Sequence, residues 1–570
     1  MPTNTLGDPI VQRLTAPGQM LEMEEIDVGG VTLRAWKNAP RSLRAVLDLS
    51  ALHGERDFIV YEDERWTFSQ HYKAVAAVAD WLANDAGVRK GDRVAISMRN
   101  FPEWSIAFWA AAVCGAIVVP LNSWWTGDEL RYGLDDSGTK ILFCDIERYQ
   151  RIEPHLPALG VEHVVVAKSQ APPDTTDFDS LLAREVDAPP DVEIAPDDEA
   201  TIFYTSGTTG NPKGALGTHR NICQNLFNLV WSAQSRAAQA AAADPDKPAA
   251  APPAQPTQLL SVPFFHVTGC HSTLVPTLAA GTKLVLMYRW NPERALELIE
   301  RERITSFGGV PTMVWQVLES PDFATRDTSS VVGIGYGGAP APPELVRRIK
   351  EHFPAASPGN GYGLTEISSL AVGIGGQDYF RKPDSVGRPM PIVDVKVVRE
   401  DGDEDGEEVG PNTLGELWMR GPNVVKGYWN KPEPTAETFR DGWLVTGDVA
   451  EIDDDGFIFI RDRAKDMVIR GGENVYCVEI ETVLYEHPAV SEAAVIGLPH
   501  LVLGEEVAAV VKRVPGAEIS EEELKDHVAQ RLAAFKVPVR IAITDEPLPR
   551  NAAGKVLKRE LRDALTAAAL

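Results

Sequence analysis

Cysteine is scarce in this chain, with five residues among 570. They are scattered, and no two of them form a CxxC pair. Their spacing therefore indicates neither a disulfide framework nor a zinc site, and it fits a protein of a reducing compartment. The cysteines are Cys114, Cys144, Cys223, Cys270 and Cys477.

Long apolar runs are also missing. The longest, at 108–121, is too short to span a bilayer, and the N-terminus has no basic segment followed by an apolar one. We therefore expect a soluble cytoplasmic protein without an integral membrane segment.

Basic residues are in deficit, because 55 Lys and Arg stand against 82 Asp and Glu and give a net charge of −27. That balance argues against nonspecific nucleic-acid binding, which needs clustered cations to neutralise phosphates. An anionic ligand then requires a local basic pocket, and one candidate lies near the C-terminus. Its residues are Arg550, Lys555, Lys558, Arg559 and Arg562.

Helical and extended patterns alternate between residues 72 and 144. Predicted helices cover 72–85, 104–114 and 127–134, and predicted strands cover 93–97, 117–121 and 140–144. This alternation is typical of an α/β fold, in which helices cover both faces of a parallel-rich sheet and ligands bind at the carboxyl ends of the strands.

Two changes of composition divide the rest of the chain. Residues 233–257 are almost entirely Ala, Pro, Gln and Asp, and their prolines and low bulk predict a surface insert without catalytic residues. After Arg463 the pattern becomes that of a small α+β module. We therefore expect a large N-terminal domain at 1–462 and a small, mobile C-terminal α+β domain at 467–570.

The segment 204–214 contains three glycines, four Ser or Thr hydroxyls and one lysine between a predicted strand and a predicted helix. Glycines let consecutive backbone N–H groups converge on an anion, and the hydroxyls and the lysine add further donors, so this turn is suited to phosphate. It is not a Walker A loop, because the segment ends in Pro-Lys-Gly rather than Gly-Lys-Ser or Gly-Lys-Thr. The candidate phosphate ligands are Thr205, Ser206, Gly207, Thr208, Thr209, Gly210 and Lys213.

The order of residues in this segment resembles the signature of the adenylate-forming (AMP-binding) superfamily. That superfamily includes acyl-CoA synthetases, firefly-luciferase-like enzymes and the adenylation domains of nonribosomal peptide synthetases. Further segments match it in the expected order, so the resemblance covers nearly the whole chain. They lie at 263–266, 336–340, 361–366, 443–448, 462–466, 471–474 and 549–555.

The resemblance implies a nucleotide site with a role for each motif. Glu366 would hold Mg²⁺, a hard cation that prefers oxygen ligands, and Thr365 would bond the α-phosphate. The adenine would lie against Gly337, Gly338, Ala339, Tyr362 and Gly363, and the ribose hydroxyls would bond Asp448 and Arg463.

It also implies the parts that act on the acid and the thiol. Lys555 would stabilise the negative charge that develops between the carboxylate and the α-phosphate. Lys465 occupies the hinge position at 463–466, and Gly471 and Gly472 would approach the pantetheine arm of CoA. His266 is a fourth catalytic candidate beside Thr365, Glu366 and Lys555. A role in the wall of the acyl pocket is favoured for it over general-base chemistry.

The function that the resemblance implies is an ATP-dependent acid–thiol ligase with ATP, Mg²⁺ and CoA as cofactors and substrates. The preferred acid is fatty or otherwise hydrophobic, because the pair at 308–309, Gly-Gly, predicts a deep pocket. Two alternatives stay open at this point. One is an aryl-acid ligase of the coumarate or benzoate type, and the other is an adenylation enzyme that passes its acyl group to a carrier protein or an amine.

Overall fold

The computed structural model describes residues 5–205, 211–244, 254–339, 341–399, 406–463, 466–470, 473–552 and 554–567. Some residues singled out from the sequence lie outside these ranges. They are Ser206, Gly207, Thr208, Thr209, Gly210, Lys465, Gly471 and Gly472.

The strands of the described residues are, in chain order, β1 (Met23–Val28), β2 (Val31–Trp36), β3 (Asp57–Tyr61), β4 (Glu64–Thr67), β5 (Arg93–Ser97), β6 (Ile117–Pro120), β7 (Ile141–Asp145), β8 (His163–Ala167), β9 (Thr176–Asp177), β10 (Glu199–Thr205), β11 (Lys213–Thr218), β12 (Thr257–Leu260), β13 (Lys283–Leu286), β14 (Ser306–Gly309), β15 (Gly333–Gly337), β16 (Ser357–Tyr362), β17 (Val372–Gly375), β18 (Arg388–Pro389), β19 (Asp394–Val398), β20 (Gly415–Arg420), β21 (Phe439–Arg440), β22 (Trp443–Ile452), β23 (Ile458–Arg463), β24 (Val468–Arg470), β25 (Glu473–Val475), β26 (Val490–His500), β27 (Gly504–Arg513) and β28 (Arg540–Thr544).

The α-helices are α1 (Pro9–Leu14), α2 (Leu43–Ser50), α3 (Phe68–Asn84), α4 (Pro102–Val113), α5 (Gly127–Ser137), α6 (Ile146–Ile152), α7 (Phe178–Leu182), α8 (His219–Ala243), α9 (Val267–Gly269), α10 (Val275–Ala280), α11 (Pro292–Glu302), α12 (Pro311–Glu319), α13 (Pro343–His352), α14 (Gly376–Arg381), α15 (Pro432–Thr438), α16 (Cys477–Tyr485), α17 (Glu521–Ala529) and α18 (Lys558–Ala567).

Two large sheets form the N-terminal part. One runs β11-β10-β6-β5-β7-β8-β9 and the other β18-β17-β16-β15-β14-β12-β13-β3-β4. Their central strands pair in parallel, whereas β11, β17, β18 and β4 pair antiparallel at the edges. Helix α4 is buried along its whole length between them, as its Ala- and Trp-rich sequence requires. The predicted α/β class with parallel-rich sheets is confirmed, and β5 begins and ends where the sequence predicted.

Two smaller sheets complete the chain. An antiparallel sheet runs β19-β20-β22-β21, with β23 paired to β22, and carries the chain to Arg463. The last sheet, β25-β24-β27-β26 with β28 beside β27, packs on α16 and α17 around its own buried cluster between Val468 and Ile541. This is the α+β module expected at the C-terminus, and the boundary between 462 and 467 stays a prediction.

The predicted insert at 233–257 is wrong at its beginning. Helix α8 starts at a capping box, in which Thr218 accepts from the backbone N–H of Asn221 and Asn221 accepts in return. It then continues to Ala243, eleven residues into the predicted insert. The Ala and Gln residues there are good helix formers, and the first proline of the segment is Pro245. The low-complexity composition therefore did not mark the end of the helix.

Within the described ranges, no helix combines the length and the apolar character needed to cross a bilayer.

Candidate active site

A cavity of about 770 Å³ lies over the carboxyl ends of β14, β15 and β16 and extends along these strands. It collects residues from three different sheets and from the loop before α18. Most of the motif residues in the described ranges line it. They are Thr205, Lys213, His266, Gly337, Gly338, Gly363, Thr365, Glu366, Arg463 and Lys555.

The strand that leads into the phosphate-binding segment is anchored at its end. The Tyr204 hydroxyl donates to the Asp136 carboxylate at 2.9 Å, and the Lys431 ammonium lies 2.5 Å from the same carboxylate. Beside this anchor, Lys213 opens β11, and its ammonium lies 4.9 Å from the centre of the Tyr428 ring. A cation held over a ring rather than by a carboxylate keeps its charge available for phosphate.

Glu366 has a fixed position in the cavity wall. Its carboxylate accepts a hydrogen bond from the Tyr428 hydroxyl at 2.7 Å, and its backbone carbonyl accepts from the N–H of Val425. Burial and the neighbouring carboxylate raise the pKa of Tyr428 far above its ordinary value, so this phenol remains a donor. Thr365 precedes Glu366 at the start of the same short 3₁₀ turn.

The residues around Glu366 suit a magnesium ion that is shared with a nucleotide. Its carboxylate oxygens are ligands that Mg²⁺ prefers, and Mg²⁺ in nucleotide sites is held by one or two carboxylates plus phosphates. No cluster of three or more His, Cys, Asp or Glu that could hold a metal occurs in the part of the chain that the structure describes. A complete coordination sphere would therefore need the phosphates.

The Asp448 carboxylate on β22 contacts a residue of β23 and the last residue of β16. The Tyr362 hydroxyl donates to this carboxylate at 2.5 Å, and Arg463, its register partner across β22 and β23, lies 3.1 Å away. Burial alone would lower the pKa of Arg463, but the charge of Asp448 and the other acidic neighbours together outweigh it, and the pKa is raised. A buried carboxylate with two fixed donors can still accept from ligand hydroxyls through its free lone pairs.

Lys555 reaches the cavity from the C-terminal module. Its backbone N–H donates to the Asn551 side chain at 3.0 Å, and Arg550 braces the turn by donating to the Gly554 carbonyl at 2.8 Å. The Lys555 Cε would lie 3.8 Å from a Cβ placed on Gly338, the residue after β15. Burial, and then the Arg463 charge, lower the pKa of Lys555 to about 8.

His266 is a neutral part of the wall. Burial, together with the charge of Lys555, lowers its pKa to about 4, so the ring is uncharged at physiological pH. Its Nε2 is buried and has no hydrogen-bond partner among the described residues, and its ring stacks at a tilt 4.8 Å from that of Phe265. This environment fits the pocket-wall role better than general-base chemistry, for which the ordinary pKa near 6.5 would be more useful.

The motif glycines are required by close packing of the backbone. A Cβ on Gly363 would lie 1.4 Å from the Ser369 carbonyl oxygen, and one on Gly337 would lie 2.3 Å from the Gly361 carbonyl oxygen. Gly338 has a φ of +75°, a conformation that side chains other than glycine rarely adopt. Ala339 follows this turn and is half-buried.

The residues that flank the proposed thiol loop do not line this cavity. Residues 471–472 are not described, but their neighbours Arg470 and Glu473 pair across β24 and β25. Neither of these two neighbours lines the cavity, whereas Lys555 does. The C-terminal module therefore presents its lysine loop to the site in this structure.

Sequence reasoning missed Tyr428, Asp136 and Arg236. Tyr428 contacts Glu366 from 62 positions away, and Asp136 meets Tyr204 from 68 positions away. No local signal could have joined these pairs. Gly427, which precedes Tyr428, has a φ of +144°.

Comparison with known proteins decides the family. The model of the AMP-binding enzyme family matches residues 48–429, and that of the AMP-binding enzyme C-terminal domain matches residues 479–555. The chain belongs to the AMP-binding enzyme family. The family resemblance, the fold and the enzyme class predicted from the sequence are thereby confirmed.

Individual relatives of this AMP-binding enzyme extend over nearly its full length. A feruloyl-CoA synthase of Amycolatopsis is 36% identical over 87% of this chain and 93% of its own. A long-chain-fatty-acid–CoA ligase of Mycobacterium tuberculosis is 36% identical over 89% of this chain and 94% of its own. The solved structure of an o-succinylbenzoate CoA synthetase from Bacillus subtilis, in complex with its acyl-adenylate, is 31% identical, with a TM-score of 0.74 and coverage of 92% and 98%.

Proposed function

We propose that this AMP-binding enzyme activates a carboxylic acid with a largely hydrocarbon body, fatty or aryl, and transfers it to CoA. The observation that carries the proposal is the convergence of Lys555, Glu366 and the Asp448–Arg463 pair on one cavity. A phosphate-binding edge, a polar site for a ribose and a mobile cation are the parts that adenylation of a carboxylate requires.

The first step joins the acid to the nucleotide. A carboxylate oxygen attacks the α-phosphorus of ATP, the bond to the bridging oxygen of the β-phosphate breaks, and pyrophosphate leaves. Lys555 donates to the oxygens that gain negative charge in this transition state, and Thr365 orients the α-phosphate. Glu366 would hold Mg²⁺ together with the phosphates, and the ion, when bound, would neutralise part of their charge.

The second step transfers the acyl group. A thiolate attacks the acyl carbon, the bond to the phosphate oxygen breaks, and AMP leaves; the thiol proton goes to solvent. Because Lys555 reaches into the cavity in this structure, the C-terminal module would rotate about the proposed hinge at 463–466 to admit the thiol. Gly471 and Gly472 would then border the pantetheine arm.

A second cavity supports CoA as the acceptor. It has a volume of about 380 Å³ and shares Ser261, Val310 and Asn551 with the first cavity. Arg99 lies in its wall between the rings of Trp124 and Tyr288, 5.2 Å from the centre of each. A channel that is apolar and ends near a cation suits a long thiol arm that carries phosphates.

The test is product analysis with a panel of acids. With ATP and a suitable acid we expect pyrophosphate release, and with CoA present we expect the acyl-CoA thioester and AMP by mass spectrometry. Lys555→Ala should slow pyrophosphate release by roughly two to three orders of magnitude, the usual scale for a preorganised charge. Acyl-AMP that accumulates unchanged in excess CoA would contradict the CoA assignment and favour a carrier protein or an amine.

A further inference from the structure

Helix α8 carries an arginine that faces the cavity and has no acidic partner among the residues that the structure describes. Arg236 lines the same cavity as Lys555, together with Leu229 and Ser232 from earlier turns of α8. A Cβ on Gly375 would lie 2.5 Å from the Arg236 Cδ, and one on Gly359 would lie 3.6 Å from a guanidinium nitrogen. The side chain therefore lies across the hairpin of β16 and β17.

Arg236 is exposed, and it lines the wall of the cavity. Partial desolvation by the surrounding protein lowers the pKa of its guanidinium. Among the described residues, none donates to, accepts from or forms an ion pair with it. Buried Arg148, in contrast, pairs with the Asp145 carboxylate at 3.0 Å. A guanidinium that lines a substrate cavity and is not engaged by a carboxylate of the described residues is available to bind an anionic group of a ligand.

Between Arg236 and the position of Lys555, the cavity wall is formed mainly by glycines. Alternate residues of a strand share a face, and apart from Ser357 at the start of β16 the residues of β15 and β16 on the cavity face are all glycines, namely Gly333, Gly335, Gly337, Gly359 and Gly361. Gly335 lies at its centre, and a Cβ there would meet no atom within 4 Å. We call these five residues the glycine floor. It leaves an open path between the position of Lys555 and that of Arg236.

The far end of the path is polar. Ser306, Gly333 and Ser357 open β14, β15 and β16 and lie opposite one another in register. Gln258 of β12 lines the same end. The methyl end of a simple fatty acid would there meet polar side chains and leave the guanidinium without a partner, which is unfavourable.

We propose that the acid activated by this enzyme carries a second carboxylate, and that Arg236 binds it while the first carboxylate is adenylated. Arg236 lies beside Gly359, and Gly361, two residues along β16, pairs with Gly337 next to the Lys555 contact. Two residues of strand are about 7 Å, so the two carboxylates are separated by a short hydrocarbon chain or a ring. This inference rests on the proposed function and narrows its substrate class.

The experiment compares two series of acids of equal length, α,ω-dicarboxylic acids and the corresponding monocarboxylic acids. We measure kcat/KM for acid-dependent pyrophosphate release with the wild-type chain, Arg236→Met and Arg236→Lys. The matched control is Arg347→Met, which removes a surface arginine on α13 that is 63% exposed. Wild type should prefer one dicarboxylate over its monocarboxylate partner. Arg236→Met should lower that kcat/KM by roughly 10- to 150-fold and spare the monocarboxylate, Arg236→Lys should restore part of it, and Arg347→Met should match wild type.

Each outcome separates this inference from the proposed function. The dicarboxylate assignment is overturned if the wild type has equal kcat/KM for monocarboxylates and dicarboxylates. It is also overturned if Arg236→Met lowers kcat/KM equally for both series. Either result leaves the proposed ligase function intact. Absence of pyrophosphate release with every acid overturns the proposed function instead.

A second variant covers the case in which Arg236→Met does not fold. Gly335→Val places its side chain in open space over the glycine floor, and it should abolish adenylation of the preferred dicarboxylate while sparing acetate. Equal loss on acetate would show that the acid does not lie on this floor.

Discussion

Raising the pH from 7 to 9 should slow the adenylation half-reaction of this enzyme about tenfold. The reason is Lys555, because burial and the nearby Arg463 charge lower its pKa to about 8. A lysine is charged below its pKa, so about nine tenths of Lys555 carry the charge at pH 7 and about one tenth at pH 9. An unshifted lysine, with a pKa near 10.5, would show almost no change over this range.

The assay is acid-dependent pyrophosphate release without CoA, so that no thiol titrates. kcat/KM follows the free enzyme and should fall above pH 8. Phosphates bound near Lys555 favour its charged form, so its pKa should be higher in the enzyme–substrate complex than in the free enzyme. The decrease in kcat should therefore occur at a higher pH than the decrease in kcat/KM. The phenols of Tyr362 and Tyr428 do not interfere, because burial raises the pKa of both well above this window.

Lys555→Arg is the control, since a guanidinium stays charged throughout. This variant should be slower, because its geometry differs, but its kcat/KM should be flat between pH 7 and pH 9. A flat profile in the wild type would refute the reasoning. So would an identical fall in the arginine variant.

Three further predictions concern the other parts of the site. Tyr428→Phe removes the hydroxyl that donates to Glu366 and should raise the KM for Mg·ATP roughly tenfold; an unchanged KM would show that Glu366 needs no such support. Lys465→Pro fixes φ at the proposed hinge and should block thioester formation from preformed acyl-AMP before it affects pyrophosphate release, and normal turnover of both half-reactions would remove Lys465 from that role. Gly471→Val should raise the KM for CoA while pyrophosphate release continues, and equal loss in both steps would argue against a thiol channel there.

The sequence was most informative where function depends on consecutive residues. The order of residues at 204–214, together with the glycine-rich motifs at the ends of β15 and β16 and the other matching segments, identified the family. The limits of β5 were also predictable, because a short run of buried aliphatic residues ends at polar ones.

Two kinds of feature could not be predicted from the sequence. Some depend on contacts between residues far apart in the chain, and others lie in a segment whose composition indicated an insert. The donor to Glu366 comes from a tyrosine whose neighbours in the chain carry no signal for it. Arg236 lies in a stretch of Ala and Gln that reads as an insert, and only the packing of α8 on β16 and β17 brings it to the cavity.

If Arg236 binds the acid as proposed, helix α8 sets the length of acid that fits the site. It begins beside the strand that carries Lys213, and Arg236 follows His219 by 17 residues, or roughly 26 Å at about 1.5 Å per residue. A helix is stiff, so the place of its charge is fixed by the backbone and not by a loop. Moving the arginine one turn toward the start of α8, to Ser232, would shift the charge by about 5.4 Å. Variants selective for acids of different lengths could then be made by moving the arginine along α8, without any change to the sheet below it.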